Sequence, residues 1–290
     1  MKLKKIFILL LFIACSKTQT EESQLNKKTV EIQIKGSDTI VNLLQAWAEE
    51  FCKNYPDVSI GVTGGGSGTG FAALFNRICD IAMSSREIEE KELILAKEKN
   101  IKPVEYKIGL DGLIVIVNPK NPISTLTMDQ LRDIFMGKIK NWKELGGVNK
   151  KIVILSREVN SGTHVFFKEH VLRKGNKKGK EEFAPEALLM PSSQSIVNEI
   201  MQNPYAIGYV GMGYISSNIK VLSIARTSKD KPVFPSIETV LDNSYPISRP
   251  LYLYTDGEPK GIVKDFISYA LSPEGQKIVA KLDFVPIRKF

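Results

Sequence analysis

One unit recurs along this chain and limits its folding more than any other feature. A short β-branched strand runs into a turn of glycine and small hydroxyl residues, and a helical pattern follows. In TVEIQIKGSD, Val30, Ile32 and Ile34 alternate with polar residues, the period of a strand. The pattern stops at Gly36, and Val41, Leu44, Ala48 and Phe51 then recur at helical spacing. VSIGV (58–62) is a second strand, leading through GGGSGTG into an apolar helix over 69–77. DIAMSS (80–85) is a third, followed by the charged helix EIEEKELILAKEK. Parallel strands need a crossover between them, and a helix supplies it. The βαβα order therefore predicts a parallel, doubly wound sheet.

A second α/β stretch follows. VEYKIG and LIVIVN, within 104–118, are predicted strands on either side of a crossing. Then come helix TMDQLRDIFMG, strand KIVILS, a helix after Ser161, helix SIVNEIMQ and strand AIGYVG. YPISRPLYLYT is strand-like again. A helix over 261–271 follows it, and another starts at Pro273, which is tolerated in a first turn. A length of 290 residues fits roughly two domains. In one reading the chain leaves a first domain near 108, builds a second, and returns near 250. Two crossings would make a hinge with a cleft between lobes, where ligands commonly lie. With 43% hydrophobic and 25% charged residues, disorder, collagen and a polytopic membrane protein are excluded as whole-chain descriptions. Three cysteines and two histidines are too few for a disulfide scaffold or a His-rich metal site.

Residues 1–15, MKLKKIFILLLFIAC, join a basic start to an apolar run too short to span a bilayer. The segment resembles a bacterial lipoprotein signal in which Cys15 is lipidated and becomes the first mature residue, with Phe12 where leucine is usual. An ordinary secretory signal is the alternative. Residues 16–28 are polar and aperiodic, a flexible tether. The formal charge of +8 includes Lys2, Lys4 and Lys5; without them 37 basic residues face 32 acidic ones, a net +5. That mild excess favours anions or a membrane surface. No basic stripe interleaved with aromatics marks a nucleic-acid partner. Cys52 and Cys79 are read either as a disulfide, permitted outside the cytoplasm, or as buried thiols.

Four segments carry the candidate chemistry: Gly36-Ser37-Asp38-Thr39, Gly66-Ser67-Gly68-Thr69-Gly70, Ser84-Ser85-Arg86, and Ser161-Gly162-Thr163, the last preceded by Arg157. A helix start offers unpaired N–H groups and about half a positive charge. Glycine lets a ligand approach the backbone, hydroxyls add donors, and arginine adds a fork suited to phosphate oxygens. Taken singly, Ser37, Asp38 and Ser161 read as helix caps, GGGSGTG as a turn and Arg86 as a solvated charge. Four such segments, two with arginine, instead describe a cage for a tetrahedral oxyanion. The glycine loop lacks the lysine of a Walker A loop, and Thr69 breaks both G-x-G-x-x-G and G-x-S-x-G. No cofactor or metal motif is present. His164 reads as a polar helix residue, and Trp47 and Trp142 as packing residues.

These motifs are similar to those of the phosphate-binding proteins of bacterial ABC-type phosphate importers. The likeness spans about 29–290 through IKGSDTI, GGGSGTG, DIAMSSR, REVNSGTHVFF, NPYAIGYVG and LSPEGQKIVAKLDFVPI. It implies an α/β, two-lobed periplasmic-binding-protein fold of type II, each lobe a mixed sheet flanked by helices, joined by two crossing strands. Lobe 1 would be 29–108 plus 251–290, and lobe 2 would be 109–250. The implied phosphate contacts are Ser37, Asp38, Thr39, Ser67, Ser85, Arg86, Arg157, Ser161, Gly162 and Thr163, the last two mainly through N–H groups. Many relatives carry an aspartate where Ser85 stands, and it accepts the proton of hydrogen phosphate; here Asp38 is assigned that role. Val159 stands where relatives often have an acid that pairs with the arginine, which leaves the partner of Arg157 open. The resemblance further implies a non-enzymatic monomer without cofactors. It would be lipid-anchored on the periplasmic side and would deliver inorganic phosphate to ABC permease subunits. Sulfate or another oxyanion as ligand, and a phosphoester-acting enzyme, are the alternatives.

Overall fold

The computed structural model describes residues 29–288. The signal with Cys15, and the tether over 16–28, lie outside the described residues. The strands are β1 (Val30–Gly36), β2 (Val58–Thr63), β3 (Ile81–Ser84), β4 (Pro103–Val117), β5 (Thr125–Thr127), β6 (Val153–Arg157), β7 (Leu188–Met190), β8 (Ala206–Gly211), β9 (Lys220–Val221), β10 (Ser223–Ala225) and β11 (Ser248–Asp256). The helices are α1 (Val41–Asn54), α2 (Ser67–Phe75), α3 (Glu90–Glu98), α4 (Met128–Phe135), α5 (Gly162–Phe167), α6 (Ser193–Gln202), α7 (Ile237–Leu241), α8 (Gly261–Ala270) and α9 (Pro273–Lys281).

One mixed sheet runs through the molecule in the order β2-β1-β3-β11-β4-β8-β6-β7, with β9 also on β4, and β5 and β10 pair separately. β1 is parallel to β2 and β3, the doubly wound start that the alternation predicts. β11 returns antiparallel between β3 and β4. The two predicted strands of 104–118 are one continuous strand. The β4 segment up to Gly112 pairs with β11, and Leu113–Val117 pairs with β8. Asp111 and Gly112 do not break the ladder: both stay in register with β11, and the Gly112 N–H donates to Met212 Sδ at 3.2 Å. A register irregularity lies in β11 between Leu251 and Tyr252. The fold is thus the expected two-lobed α/β architecture, with a first lobe built on β1–β3, a second on β6–β8, and β4 and β11 crossing between them.

Strand alternation assigns the core. Ile81, Met83, Leu251 and Leu253 share the main core with Ile32, Ile34 and Trp47. The intervening Ala82, Tyr252 and Tyr254 join a second cluster with Phe71, Leu74 and Phe75 of α2. Successive residues point to opposite faces, so the first lobe's sheet is covered on both. Trp47 is fully buried and donates from its indole to the Gly275 carbonyl at 2.8 Å, fixing α1 to α9. Trp142 is likewise buried and bonds the Tyr205 carbonyl at 2.9 Å. Both are packing residues. Cys52 and Cys79 are free thiols, so the disulfide alternative is set aside. Among the described residues no helix is long and apolar enough to cross a membrane.

Candidate functional site

The four hydroxyl-bearing segments converge where the two lobes meet. Gly36 ends β1 with φ at +141°, and a Cβ there would lie 2.1 Å from the Met83 carbonyl oxygen. Only glycine permits that approach of β1 to β3. It sets the following side chains together, so that Ser37 Oγ donates to Ser85 Oγ at 2.9 Å. Ser67, the first residue of α2, accepts the Ser85 N–H at 3.2 Å. From the other lobe, Ser161 caps α5 by accepting the Thr163 N–H at 3.2 Å. Thr163 Oγ1 then lies 2.9 Å from Thr39 Oγ1 and 3.5 Å from Ser85 Oγ. Gly162 faces Ser67 so closely that a Cβ would sit 2.2 Å from its hydroxyl. Ser37, Thr39, Ser67, Ser85, Ser161 and Thr163 are each at most 2% exposed. The loops also bond across the cleft: Gly68 N–H to the Asn160 carbonyl at 3.0 Å, Asn160 Nδ2 to the Gly65 carbonyl at 3.0 Å, and Tyr214 hydroxyl to the Asp38 carbonyl at 2.7 Å.

Charges are arranged as pairs. Arg157, 1% exposed, donates to Asp38 Oδ2 at 2.6 Å, to Ser193 Oγ, and to the carbonyls of Met190 and Pro191. Asp38 Oδ1 accepts the Gly65 N–H at 3.1 Å. Asp38 therefore fills the place left open by Val159, which points outward at 68% exposure. Arg86 requires a correction. Its two terminal nitrogens form a fork on Glu92 at 2.7 Å each, and its guanidinium packs over Phe71. That engagement takes Arg86 out of the hydroxyl cluster and makes it a brace for the start of α3. The other nine predicted residues are brought together.

The sequence reading missed Arg249 and Asp111. Arg249 of β11 and Asp111 of β4 face each other in register. Nε and Nη2 donate to Asp111 Oδ2 at 3.0 and 2.8 Å, and Nη2 also reaches Thr163 Oγ1 at 3.1 Å and Thr39 Oγ1 at 3.3 Å. Burial raises the Asp111 carboxyl above its usual range, with Arg249 pulling against it. A signal for the pair was available: each is a lone charge inside an apolar strand, ISRPLYLY and IGLDGLIVIV, and a buried charge calls for a partner. Arg249 also lines an interlobe cavity of about 690 Å³ with Arg86, Phe166, His170 and Tyr252; none of the six hydroxyls borders it. His164, read as a polar helix residue, lies in α5 and is turned into the interior. It is 4% exposed, packs its ring at a tilt against Phe183, and sits with Nδ1 3.2 Å from Ser156 Oγ. Burial brings its pKa down to about 4.

A family model for the PBP superfamily domain matches residues 18–274. The phosphate-binding protein PstS of Bacillus subtilis is 35% identical over 263 residues, covering 90% of this chain and 82% of that protein. The chain belongs to the PstS phosphate-binding protein family. PstS of Borreliella burgdorferi is 31% identical over 293 residues, 99% of this chain and 100% of its own length. Among solved structures, a Clostridium perfringens substrate-binding protein with bound phosphate superposes with a TM-score of 0.80 at 33% identity, covering 89% of this chain and 100% of that one. An ABC-type phosphate transport receptor from Vibrio cholerae gives 0.68 at 27%, covering 88% and 99%. For a PstS-family chain, a buried cluster of neutral donors beside two arginines each paired with an aspartate is a binding device. Among the described residues no group of three or more His, Cys, Asp or Glu is placed to hold a metal ion.

Proposed function

We propose that this chain captures inorganic phosphate between its lobes and hands it to the permease of an ABC importer, with no chemical step. One observation carries the reading: six buried hydroxyls from four separate loops, on both lobes, meet within a few ångströms of Ser85 and Thr163. Desolvating an oxyanion is prohibitive unless every oxygen finds donors, and neutral donors supply them without excess fixed charge. The contacts are Ser37, Asp38, Thr39, Ser67, Ser85, Arg157, Ser161, Gly162 and Thr163. Asp38 keeps lone pairs beyond those taken by Arg157 and Gly65. It accepts the proton of hydrogen phosphate, and sulfate, lacking that proton, meets a carboxylate lone pair instead.

The lobes are 29–108 plus 251–290 and 109–250, and β4 and β11 act as the hinge about which they close on the ion. The receptor works as an extracytoplasmic monomer held to the membrane by a lipid on Cys15. Isothermal calorimetry with phosphate and with sulfate tests the ligand. Saturable phosphate binding with sulfate at least tenfold weaker is expected, and heat from neither, or preference for sulfate, defeats the reading. Cys15→Ser should move the protein from the membrane to the soluble fraction.

A further inference from the structure

We propose that Arg249 contacts the bound anion from the floor of the cleft and couples the two lobes to it, with Asp111 as its positioning residue. This rests on the phosphate reading and deepens it by adding a contact that lies outside the four loops. Arg249 and Asp111 stand opposite each other on the two crossing strands, so the guanidinium belongs to neither lobe's loop set. Asp111 fixes it through Nε and Nη2, and the other Asp111 oxygen accepts the Met212 N–H at 2.9 Å. The same Nη2 touches Thr39 of one lobe and Thr163 of the other.

Nη1 is the deciding atom. It is buried and has no hydrogen-bond partner, in a side chain 2% exposed. Arg157 differs: all three of its nitrogens have acceptors. Arg86 also leaves a buried nitrogen, Nε, without an acceptor, but both of its terminal nitrogens are held by Glu92. In Arg249 the unpartnered nitrogen is a terminal one, beside the Nη2 that reaches both threonines, and such a buried donor calls for a cause. Phe166 packs against the guanidinium with its ring centre 5.5 Å from Cζ, which contributes attraction but no hydrogen bond to a ligand-sized acceptor. A tetrahedral oxyanion among Thr39, Thr163 and Ser85 supplies the missing acceptor. Because Arg249 sits at the crossing, it meets the ion whichever lobe binds first, and it meets both threonines only with the lobes together.

Arg249→Ala alone would strand the buried Asp111 charge, so the test uses the double variant Arg249→Met/Asp111→Leu, which removes the pair by shape-matched apolar groups. Calorimetry should show phosphate Kd raised about a hundredfold, the scale of two lost charge-assisted hydrogen bonds, with a cooperative thermal transition retained. Arg249→Lys keeps the charge beside Asp111 but gives up Nη1, and should raise Kd about tenfold; this variant decides the matter if the double variant does not fold. Wild-type binding of phosphate with both variants within threefold of it would overturn the role of Arg249 and leave the phosphate reading standing. If the wild type ignores phosphate but binds sulfate, and the variants weaken that binding, the Arg249 role holds and the phosphate reading falls. No oxyanion binding by the wild type ends both.

Discussion

Asp38→Asn isolates the basis of selectivity. The carboxylate accepts from Arg157 at 2.6 Å through one oxygen and from the Gly65 N–H at 3.1 Å through the other. An amide has a single acceptor oxygen, so either Arg157 or Gly65 would face an NH2 group. Arg157 keeps Met190, Pro191 and Ser193 as partners. Its loss therefore stays below the roughly 3–5 kcal/mol of a fully stranded buried ion. Removing the negative charge also favours any dianion in the cleft, so absolute affinities shift by a balance of opposing effects. The ratio is free of both, since the hydrogen phosphate dianion and sulfate share size and charge. In the native site sulfate leaves a buried acceptor facing its own lone pairs, a penalty of about 1–3 kcal/mol. At 1.4 kcal/mol per decade, that corresponds to roughly 5- to 150-fold of discrimination. Competitive calorimetry at fixed pH and salt should show the phosphate-to-sulfate ratio fall at least about fivefold in Asp38→Asn. A ratio within twofold of wild type would refute the acceptor role of Asp38.

Two further changes probe closure and pH. Gly162→Ala places a methyl 2.2 Å from Ser67 Oγ and 2.9 Å from Ser85 Oγ, so the lobes must part. Phosphate Kd should rise at least about thirtyfold by calorimetry while the melting temperature holds, because alanine is otherwise the better helix former; an unchanged Kd would show that the lobes do not close on this contact. His164 titrates near 4 in the fold because burial disfavours its charged form, against about 6.5 unfolded. Its contribution is therefore complete above about pH 6.5 and is lost as pH falls toward 4, where the unfolded chain binds the extra proton, a span of about 3 kcal/mol. Urea unfolding of His164→Gln between pH 7 and 4 should show a shallower decline than wild type, and parallel curves would reject the assignment.

Local patterns were legible because they depend on near neighbours. The alternation of Val30, Ile32 and Ile34 marked β1, and AIGYVG coincides with β8. Gly36 and Gly66, each before a hydroxyl-bearing turn, marked where the backbone could be approached closely, and both adopt positive φ. The site loops could be named because each is a strand end followed by a helix start, a unit of about ten residues. Tertiary structure decided which charges belong to which. Arg86 carries the same sequence signature as Arg157, yet Glu92, in the first turn of α3, holds it. The partner of Arg157 is 119 residues away, and Arg249 lies 138 residues from Asp111 and 210 from Thr39. Hydrophobic periodicity is written along the chain, because burial of a face depends only on residues a few positions apart. An ion pair depends on where two distant strands are set side by side, and only the folded sheet, with β4 and β11 antiparallel at its centre, sets that distance.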